Sequence, residues 1–307
     1  MILAPLRGVT IRCFRETFAT LLREGGFTEA ITPFISALPG VDPLKNEELR
    51  MRSSFFTQNS QLPVAPQFIG KDPTALRACL ERVRDVGFAT ADLNCGCPFP
   101  MVRRKGRGSG LLRTPDVLRR LLEVGCETMG PGRFSVKARL GIDRTDELLE
   151  LMPMINAFPL RFLTVHARTA RQMYTGACDL EAFARIASVS KVPLVLNGDI
   201  SFPPPDSPIH TFTRSPLRPT LMVGRSFVRA LGEREDSGEL LSRYIEVSCA
   251  ELSGERPVLG RLKELIAYWK DIPRWRRLWP VIKLARTLDE LRAVALTEIA
   301  PASPVGF

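Results

Sequence analysis

The chain has 307 residues, 45% of them hydrophobic, with 43 Lys or Arg against 33 Asp or Glu and a formal charge of +10. That length and apolar content support a large core, built either as two ordinary domains or as one α/β barrel with an appendage. Seven scattered cysteines, no cleavable signal pattern and no apolar run of about 18 residues argue against secretion and a membrane span, so a reduced, soluble, cytoplasmic protein is expected.

In chain order, short apolar strands alternate with amphipathic helices, the pattern of βαβ units and a parallel sheet. Strands are predicted over Ile2–Ala4, Ala30–Phe34, Val64–Ile69, Thr90–Leu93, Ser135–Arg139, Phe162–His166, Pro193–Asn197 and Thr220–Val223. Helices are predicted over Pro73–Val86, Pro115–Cys126, Asp146–Ala157 and Leu180–Ser188, where apolar residues recur at spacings of three and four. This count fits a (β/α)8 TIM barrel. The connection from Ser201 to Pro219 carries Pro203, Pro204, Pro205, Pro208 and Pro216, which would break a regular helix, so a loop or degenerate helix is expected there. After about Ser237 the chain reads as helices. The expected organisation is a barrel over residues 1–236 and an all-helical domain over residues 237–307.

Polar residues gather at one end of the predicted strands. Asn94, Lys137, Arg139, His166, Arg168, Asn197, Gly198, Gly224 and Arg225 sit at or just past C-terminal strand ends, where barrels build their sites. Period-two alternation puts Ser135, Lys137 and Arg139 on one face, and Thr164, His166 and Arg168 on one face of the next strand. Inward charges can simply pair with carboxylates, but few acidic residues occupy matching strand ends, which favours a site for an anionic or electron-rich ligand. Asn197-Gly198-Asp199 and Gly224-Arg225 follow the last two strands, a frequent phosphate position in barrels. With no Walker motif and no GxGxxG after a strand, that phosphate is expected on a cofactor inside the barrel.

Asp92-Leu93-Asn94-Cys95-Gly96-Cys97-Pro98 ends a strand in an amide and two thiols. A thiol near its free pKa can donate a proton, and an amide can hold a planar heterocycle by its edge. A metal half-site would want more soft ligands than five scattered cysteines and two His provide, so no metal is expected.

Ala4-Pro5-Leu6-Arg7-Gly8-Val9-Thr10, Gln67-Phe68-Ile69-Gly70, Asn94-Cys95-Gly96-Cys97-Pro98, Ser135 to Gly141, His166-Ala167-Arg168-Thr169, Asn197-Gly198-Asp199 and Gly224-Arg225 together resemble the ordered signature of the tRNA-dihydrouridine synthases. The resemblance spans residues 1 to about 230. It implies an FMN-dependent barrel with a helical C-terminal domain, recharged by NADPH, that reduces the C5–C6 double bond of uridine in tRNA. The segment from Arg261 to Trp269 is most similar to the C-type branch, which implies the D-loop, position 16, as target.

Carried over residue by residue, the resemblance places Pro5, Leu6 and Arg7 against the flavin and Gln67 and Lys137 at its ring edge. His166 and Arg168 would flank the flavin, Arg168 on the substrate side. Asn197, Gly198, Asp199, Gly224 and Arg225 would hold the ribityl phosphate. Cys97 matches the family's general acid, whereas Cys95 is expected to be a small buried residue. Asn94 and Arg139 would orient an extruded base. The usual Met after Ala-Pro is Leu6 here, and the Asp that commonly follows Gly-Val-Thr is Ile11. The run Arg103-Arg104-Lys105-Gly106-Arg107 is either a solvated loop or a phosphate-contacting lid.

Between Arg261 and Arg292 the tail holds nine Lys or Arg against four Asp or Glu, together with all three tryptophans. Basic and aromatic groups together suit RNA. Trp269 and Trp279 are expected to close a helical core, and Arg274, Arg276 and Arg277 to face the RNA. The expected partner is tRNA, with no membrane contact and a monomeric state. Two other readings stand beside this one: a tRNA-binding paralogue without catalysis, and an FMN barrel reductase of a small pyrimidine or enone. Cys97 and Lys137 weigh against the first, the basic tail against the second.

Overall fold

Among the described residues, ten strand segments form one all-parallel sheet: β1 (Ile2–Leu3), β2 (Glu29–Ile31), β3 (Ile35–Ser36), β4 (Val64–Ala65), β5 (Gln67–Ile69), β6 (Ala91–Cys95), β7 (Phe134–Gly141), β8 (Leu163–Thr169), β9 (Leu194–Asn197) and β10 (Thr220–Val223). The computed structural model describes residues 1–49, 62–204 and 219–297. Strand order is β3-β5-β6-β7-β8-β9-β10-β1-β2-β4. Only Thr32, Pro33 and Phe34 separate β2 from β3, and only Pro66 separates β4 from β5. Because β2 pairs with β4 while β3 pairs with β5, the two ends of that order are halves of one strand pair. The sheet therefore closes into a barrel of eight strands, as the sequence predicts. Proline explains both interruptions, since it cannot donate to a ladder. The Thr32 hydroxyl bridges the gap by accepting the Gln67 N–H at 2.9 Å.

Helices wrap this barrel. Between β1 and β2 lie α1 (Arg12–Thr17) and α2 (Ala19–Glu24), and α3 (Pro73–Asp85) links β5 to β6. Between β6 and β7 run α4 (Pro100–Arg103), a 3-10 turn at Gly108–Arg113 and α5 (Pro115–Met129). Next come α6 (Glu147–Ile155), α7 (Leu180–Val189) and, after β10, α8 (Arg225–Glu233). Helix α3 shows the local logic. Asp72 caps it by accepting from Thr74 N and Ala75 N, Pro73 takes the first turn, and Ala75, Leu76, Cys79, Leu80 and Val83 form its buried face. Pro205, Pro208 and Pro216 of the proline-rich connection lie outside the described residues.

Alternation sorts the strands as expected. Val136, Ala138 and Leu140 of β7 and Leu163, Val165 and Ala167 of β8 pack outward under α3, α5, α6 and α7. Ile2, Ile31, Ala65, Val195 and Met222, from β1, β2, β4, β9 and β10, fill the interior with Phe162, the residue before β8. Polar side chains occupy the layers above, so the barrel is plugged at one end and open at the other.

The C-terminal helices are α9 (Ser237–Glu251), α10 (Glu255–Ile266), α11 (Pro273–Leu284) and α12 (Leu288–Thr297). Their core is continuous with that of α1, α2, β1 and α8. Phe14 of α1 and Phe18, between α1 and α2, meet Tyr244 of α9 at ring-centroid distances of 6.3 and 5.8 Å. Trp269 and Trp275 are both fully buried, 4.7 Å apart, and their indole N–H groups donate to Val228 O and Gly232 O of α8. Trp279 packs against this core only partly buried, and Trp275, which the sequence reading did not assign to the core, takes the central place. The reason is helical phase: Trp275, Leu278 and Ile282 share the inward face of α11, which leaves Trp279 at its edge. Among the described residues no helix is long and apolar enough to cross a membrane.

Candidate active site at the barrel mouth

The open end of the barrel holds a cavity of about 1080 Å³. Seven Lys or Arg side chains line it against three Asp or Glu, so it attracts anions. One wall is the β1 loop. The Thr10 hydroxyl donates to Ala4 O and accepts the Leu6 N–H at 2.7 Å, which fixes Pro5, Leu6 and Arg7 along the wall. Gly8, at φ +81°, leaves space that the Glu264 carboxyl fills, so α10 reaches the mouth directly.

Lys137 and His166 rise from β7 and β8 into the cavity. The Lys137 ammonium donates to Asn197 Oδ1 at 2.8 Å, and Asn197 donates in turn to Met222 O. Burial, with the Arg139 charge nearby, pulls Lys137 down to about 7. Burial and the neighbouring Lys137, Arg139, Arg168 and Arg225 keep His166 neutral by driving its pKa far down. Gly198, at φ +112°, allows close approach, because a Cβ there would lie 2.6 Å from both the His166 ring and the Cys178 sulfur.

Helix α8 starts at Arg225 with Gly224 as N-cap and no side-chain cap, so its N-terminus presents unfilled backbone donors to the cavity. Arg225 Nη2 donates to Asp199 Oδ1 at 2.9 Å, and the other Asp199 oxygen is bound by Arg168. A carboxylate cannot hold a phosphate directly. Asp199 instead aligns two guanidinium groups, and their charges hold its pKa below the usual carboxylate range.

The two thiols diverge. Cys95 faces the core beneath the helices, whereas Cys97 lines the cavity. Asn94 Oδ1 accepts from Gly96 N at 3.1 Å and Cys97 N at 2.8 Å, and Cys97 O accepts from Ser109 Oγ and Ser109 N. Burial pushes the Cys97 thiol up despite Arg139 and Arg7, which keeps it protonated at neutral pH.

Some predicted site residues lie elsewhere or work differently. Gln67 is fully buried below the floor, donating to Asp92 Oδ2 at 2.7 Å and accepting from Asn94 Nδ2 at 2.8 Å. Arg168 is likewise off the cavity lining and binds Thr175 O and Gly176 O besides Asp199. Asn94 and Arg139 line the cavity, yet Asn94 spends its amide on the thiol loop and Arg139 donates to Gly96 O, Thr169 O and Met173 O. Arg274, Arg276 and Arg277 sit on α11, outside the cavity; Arg276 and Arg277 are exposed, and Arg274 donates to Glu235 O. The sequence pattern gave no sign of Tyr174, whose half-exposed ring lies 5.2 Å from the Arg139 guanidinium and 5.4 Å from that of Arg225. Nor did it single out Phe99 at the rim.

An eight-stranded parallel barrel with a cationic, glycine-edged mouth belongs to the class of (β/α)8 barrels, which build their sites at the C-terminal face. The family model described as Dihydrouridine synthase (Dus) matches residues 2–227, and the chain belongs to that family. Relatives include "Probable tRNA-dihydrouridine synthase" of Rhodobacter capsulatus, 31% identical over 66% of this chain and 60% of its own length. Another is "tRNA-dihydrouridine(16) synthase" of Ralstonia nicotianae, 30% identical over 65% of this chain and 61% of its own length. The chain thus spans about three fifths of these two curated relatives. In fold it is similar to the old yellow enzyme homologue from Zymomonas mobilis, with a TM-score of 0.51, 13% identity, and coverage of 75% of this chain and 85% of that one.

Proposed function

We propose that the protein is an FMN-dependent tRNA-dihydrouridine synthase that reduces the C5–C6 double bond of uridine in tRNA, recharged by NADPH. The observation that carries this reading is the placement of Cys97, a buried and protonated thiol on the wall of an anion-attracting cavity, while Cys95 is turned into the core. The residues fit the cofactor. An uncapped α8 N-terminus with Arg225 suits its phosphate, and Gly224 permits close approach, since a Cβ there would stand 3.0 Å from Ala4 Cβ. Lys137, held by Asn197, offers a charge to the edge of an electron-rich ring. Pro5 and Leu6 offer apolar contact.

The flavin, when bound, supplies the hydride. Cys97 supplies the proton to C5 of the base, and its raised pKa keeps that proton in place until the base arrives. Asn94 and Arg139 hold the thiol loop by Cys97 N and Gly96 O, so the proton donor is positioned from both sides. Half-exposed Phe99 and Tyr174 at the rim offer faces on which an extruded base can stack. Exposed Arg276 and Arg277 on the helical tail offer charge to the RNA backbone. The likeness to the Ralstonia relative favours position 16 as the target.

Purified protein is expected to be yellow, to release FMN, and to form dihydrouridine in unmodified tRNA with NADPH, with the product mapped to one position by reverse transcription or mass spectrometry. A colourless protein that fails to bind added FMN rejects the cofactor. A flavin-loaded protein that leaves tRNA unchanged but reduces small enones favours the alternative reductase.

A further inference from the structure

We propose that Asp92 is a positioning residue that fixes the Cys97 loop at a distance, through a hydrogen-bond chain of one allowed polarity. Asp92 is fully buried in the barrel interior, one layer below the cavity, and it does not line that cavity. Ionised, its carboxylate can only accept. It accepts from Ser135 Oγ at 2.6 Å and from Gln67 Nε2 at 2.7 Å. With its NH2 committed downward, Gln67 must turn Oε1 upward, where it accepts from Asn94 Nδ2 at 2.8 Å. Asn94 must then turn Oδ1 toward the thiol loop, where it accepts from Gly96 N and Cys97 N.

Both ends of this chain are fixed. Backbone N–H groups at the top can only donate, the carboxylate at the bottom can only accept, and each amide between them uses one donor and one acceptor. An amide has nearly the same shape in either orientation, so packing alone cannot choose between them. The carboxylate makes the choice. A buried carboxylate is costly, which is why most barrel interiors are apolar at this depth; the nearby Lys137 charge offsets part of that cost, but the hydrogen bonds of Asp92 run to Ser135 and Gln67 and not to the cavity. Strand register supports the arrangement: Gln67 is paired with Asp92, and Asp92 with Ser135, so the three side chains form one interior layer. The catalytic consequence rests on Cys97 being the proton donor, but the positioning itself does not.

The test uses the full-length protein and measures, by peptide mass spectrometry, the rate at which iodoacetamide alkylates Cys97. Rates are followed across pH so that a change in thiol pKa is separated from a change in access. Asp92→Asn lets Gln67 meet a group that both donates and accepts, so the polarity is no longer enforced and alkylation at Cys97 should rise at least about fivefold, as expected when charge-assisted bonds are removed. The double variant Asp92→Asn/Gln67→Glu moves the carboxylate one place along the chain. It can again only accept from Asn94, the buried charge count is unchanged, and alkylation should return to near the parent rate. Ser135→Ala removes a bond to Asp92 without changing the polarity and should leave the rate near that of the parent. Where turnover on tRNA is observed, Asp92→Asn should lower kcat with little change in KM, and the double variant should restore it.

An Asp92→Asn protein alkylated at the parent rate, a double variant no better than Asp92→Asn, or Ser135→Ala matching Asp92→Asn would each overturn the proposal. If Asp92→Asn does not fold, Gln67→Met cuts the chain at its middle, and an unchanged Cys97 rate there overturns it equally. Because alkylation needs neither FMN nor RNA, a negative result here is distinct from a failure of the proposed activity.

Discussion

At the scale of single residues, the two thiols give the sharpest expectation. Cys97→Ala removes the cavity-facing thiol proposed as proton donor and leaves the proposed cofactor cradle intact, so uridine reduction should fall by about 10²-fold or more while flavin content and tRNA binding persist. Cys95→Ala, in the core, should cost packing alone; steady turnover that survives the first change and vanishes in the second would reverse the assignment. Lys137 gives a pH signature. The unfolded chain keeps its proton up to about 10.5, while the folded protein, without anion, releases it near 7. Between those values the unfolded state binds more protons, so this group makes stability rise with pH across that window. Two neighbours titrate outside that window, Asp92 at about 6 and His166 far below, and the Arg139 guanidinium, although burial lowers its pKa, keeps its proton. An anionic ligand beside Lys137 should restore its proton. Flavin binding at pH 8 should therefore take up a proton, measured by calorimetry in two buffers, and Lys137→Met should abolish the uptake. Alternation made the inward facing of Lys137, Arg139, His166 and Arg168 legible in the sequence, because the pleat has a fixed period. Depth was not legible. Gln67 sits one layer too low, and Arg168 turns to Asp199, because three-dimensional neighbours decide where a long side chain ends. Tyr174 carried no periodic signal in its loop.

At the scale of elements, the N-terminus of α8 is the candidate phosphate anchor, and its strength should divide between backbone and side chain. Arg225→Ala removes one charge-assisted donor but keeps the helix N–H groups, so FMN affinity should drop by about 10- to 100-fold without being abolished. Gly224→Ala places a Cβ 3.0 Å from Ala4 Cβ and 3.4 Å from Leu6, which crowds the cofactor wall itself. If both variants bind FMN like the parent in a fluorescence titration, the phosphate lies elsewhere. The glycines at these strand ends were readable because close approach demands them. The broken strands were only half readable. Pro33 and Pro66 stand inside predicted strands, but their effect, two interruptions facing each other across one pair and bridged by Thr32, depends on register. The helix starts predicted at Pro73 and Pro115 coincide with those observed, since proline at the first turn is a local signal.

At the scale of the whole molecule, the tail shares its core with the barrel, and that changes how its role must be tested. The sequence showed helices and a cluster of basic and aromatic residues, but not that Trp269 and Trp275 would be spent on α8. Their partners lie about forty residues earlier, beyond the reach of any local pattern. A chain cut near residue 237 would uncover Phe14, Phe18, Phe227 and their neighbours, so it should aggregate or unfold, and its failure to bind tRNA would not locate the RNA surface. Gly232→Ala should show the same coupling more gently, since a Cβ there would press to 2.4 Å from the Trp269 ring; overpacking of this kind costs roughly 1 to 3 kcal/mol, read as a lowered denaturation midpoint. Charge reversal on the exposed face of α11 is the cleaner probe. Arg276→Glu/Arg277→Glu alters side chains that are exposed while Trp275, Leu278 and Ile282 keep the helix docked, so thermal stability and flavin content should be unchanged. If these residues neutralise phosphates, tRNA affinity should fall about tenfold or more at low salt, and the slope of log affinity against log salt should shrink by roughly 0.7 to 0.9 for each phosphate that is no longer neutralised. Affinity and slope equal to those of the parent would show that RNA is held by another surface, and the basic run from Arg103 to Arg107 would be the next place to look.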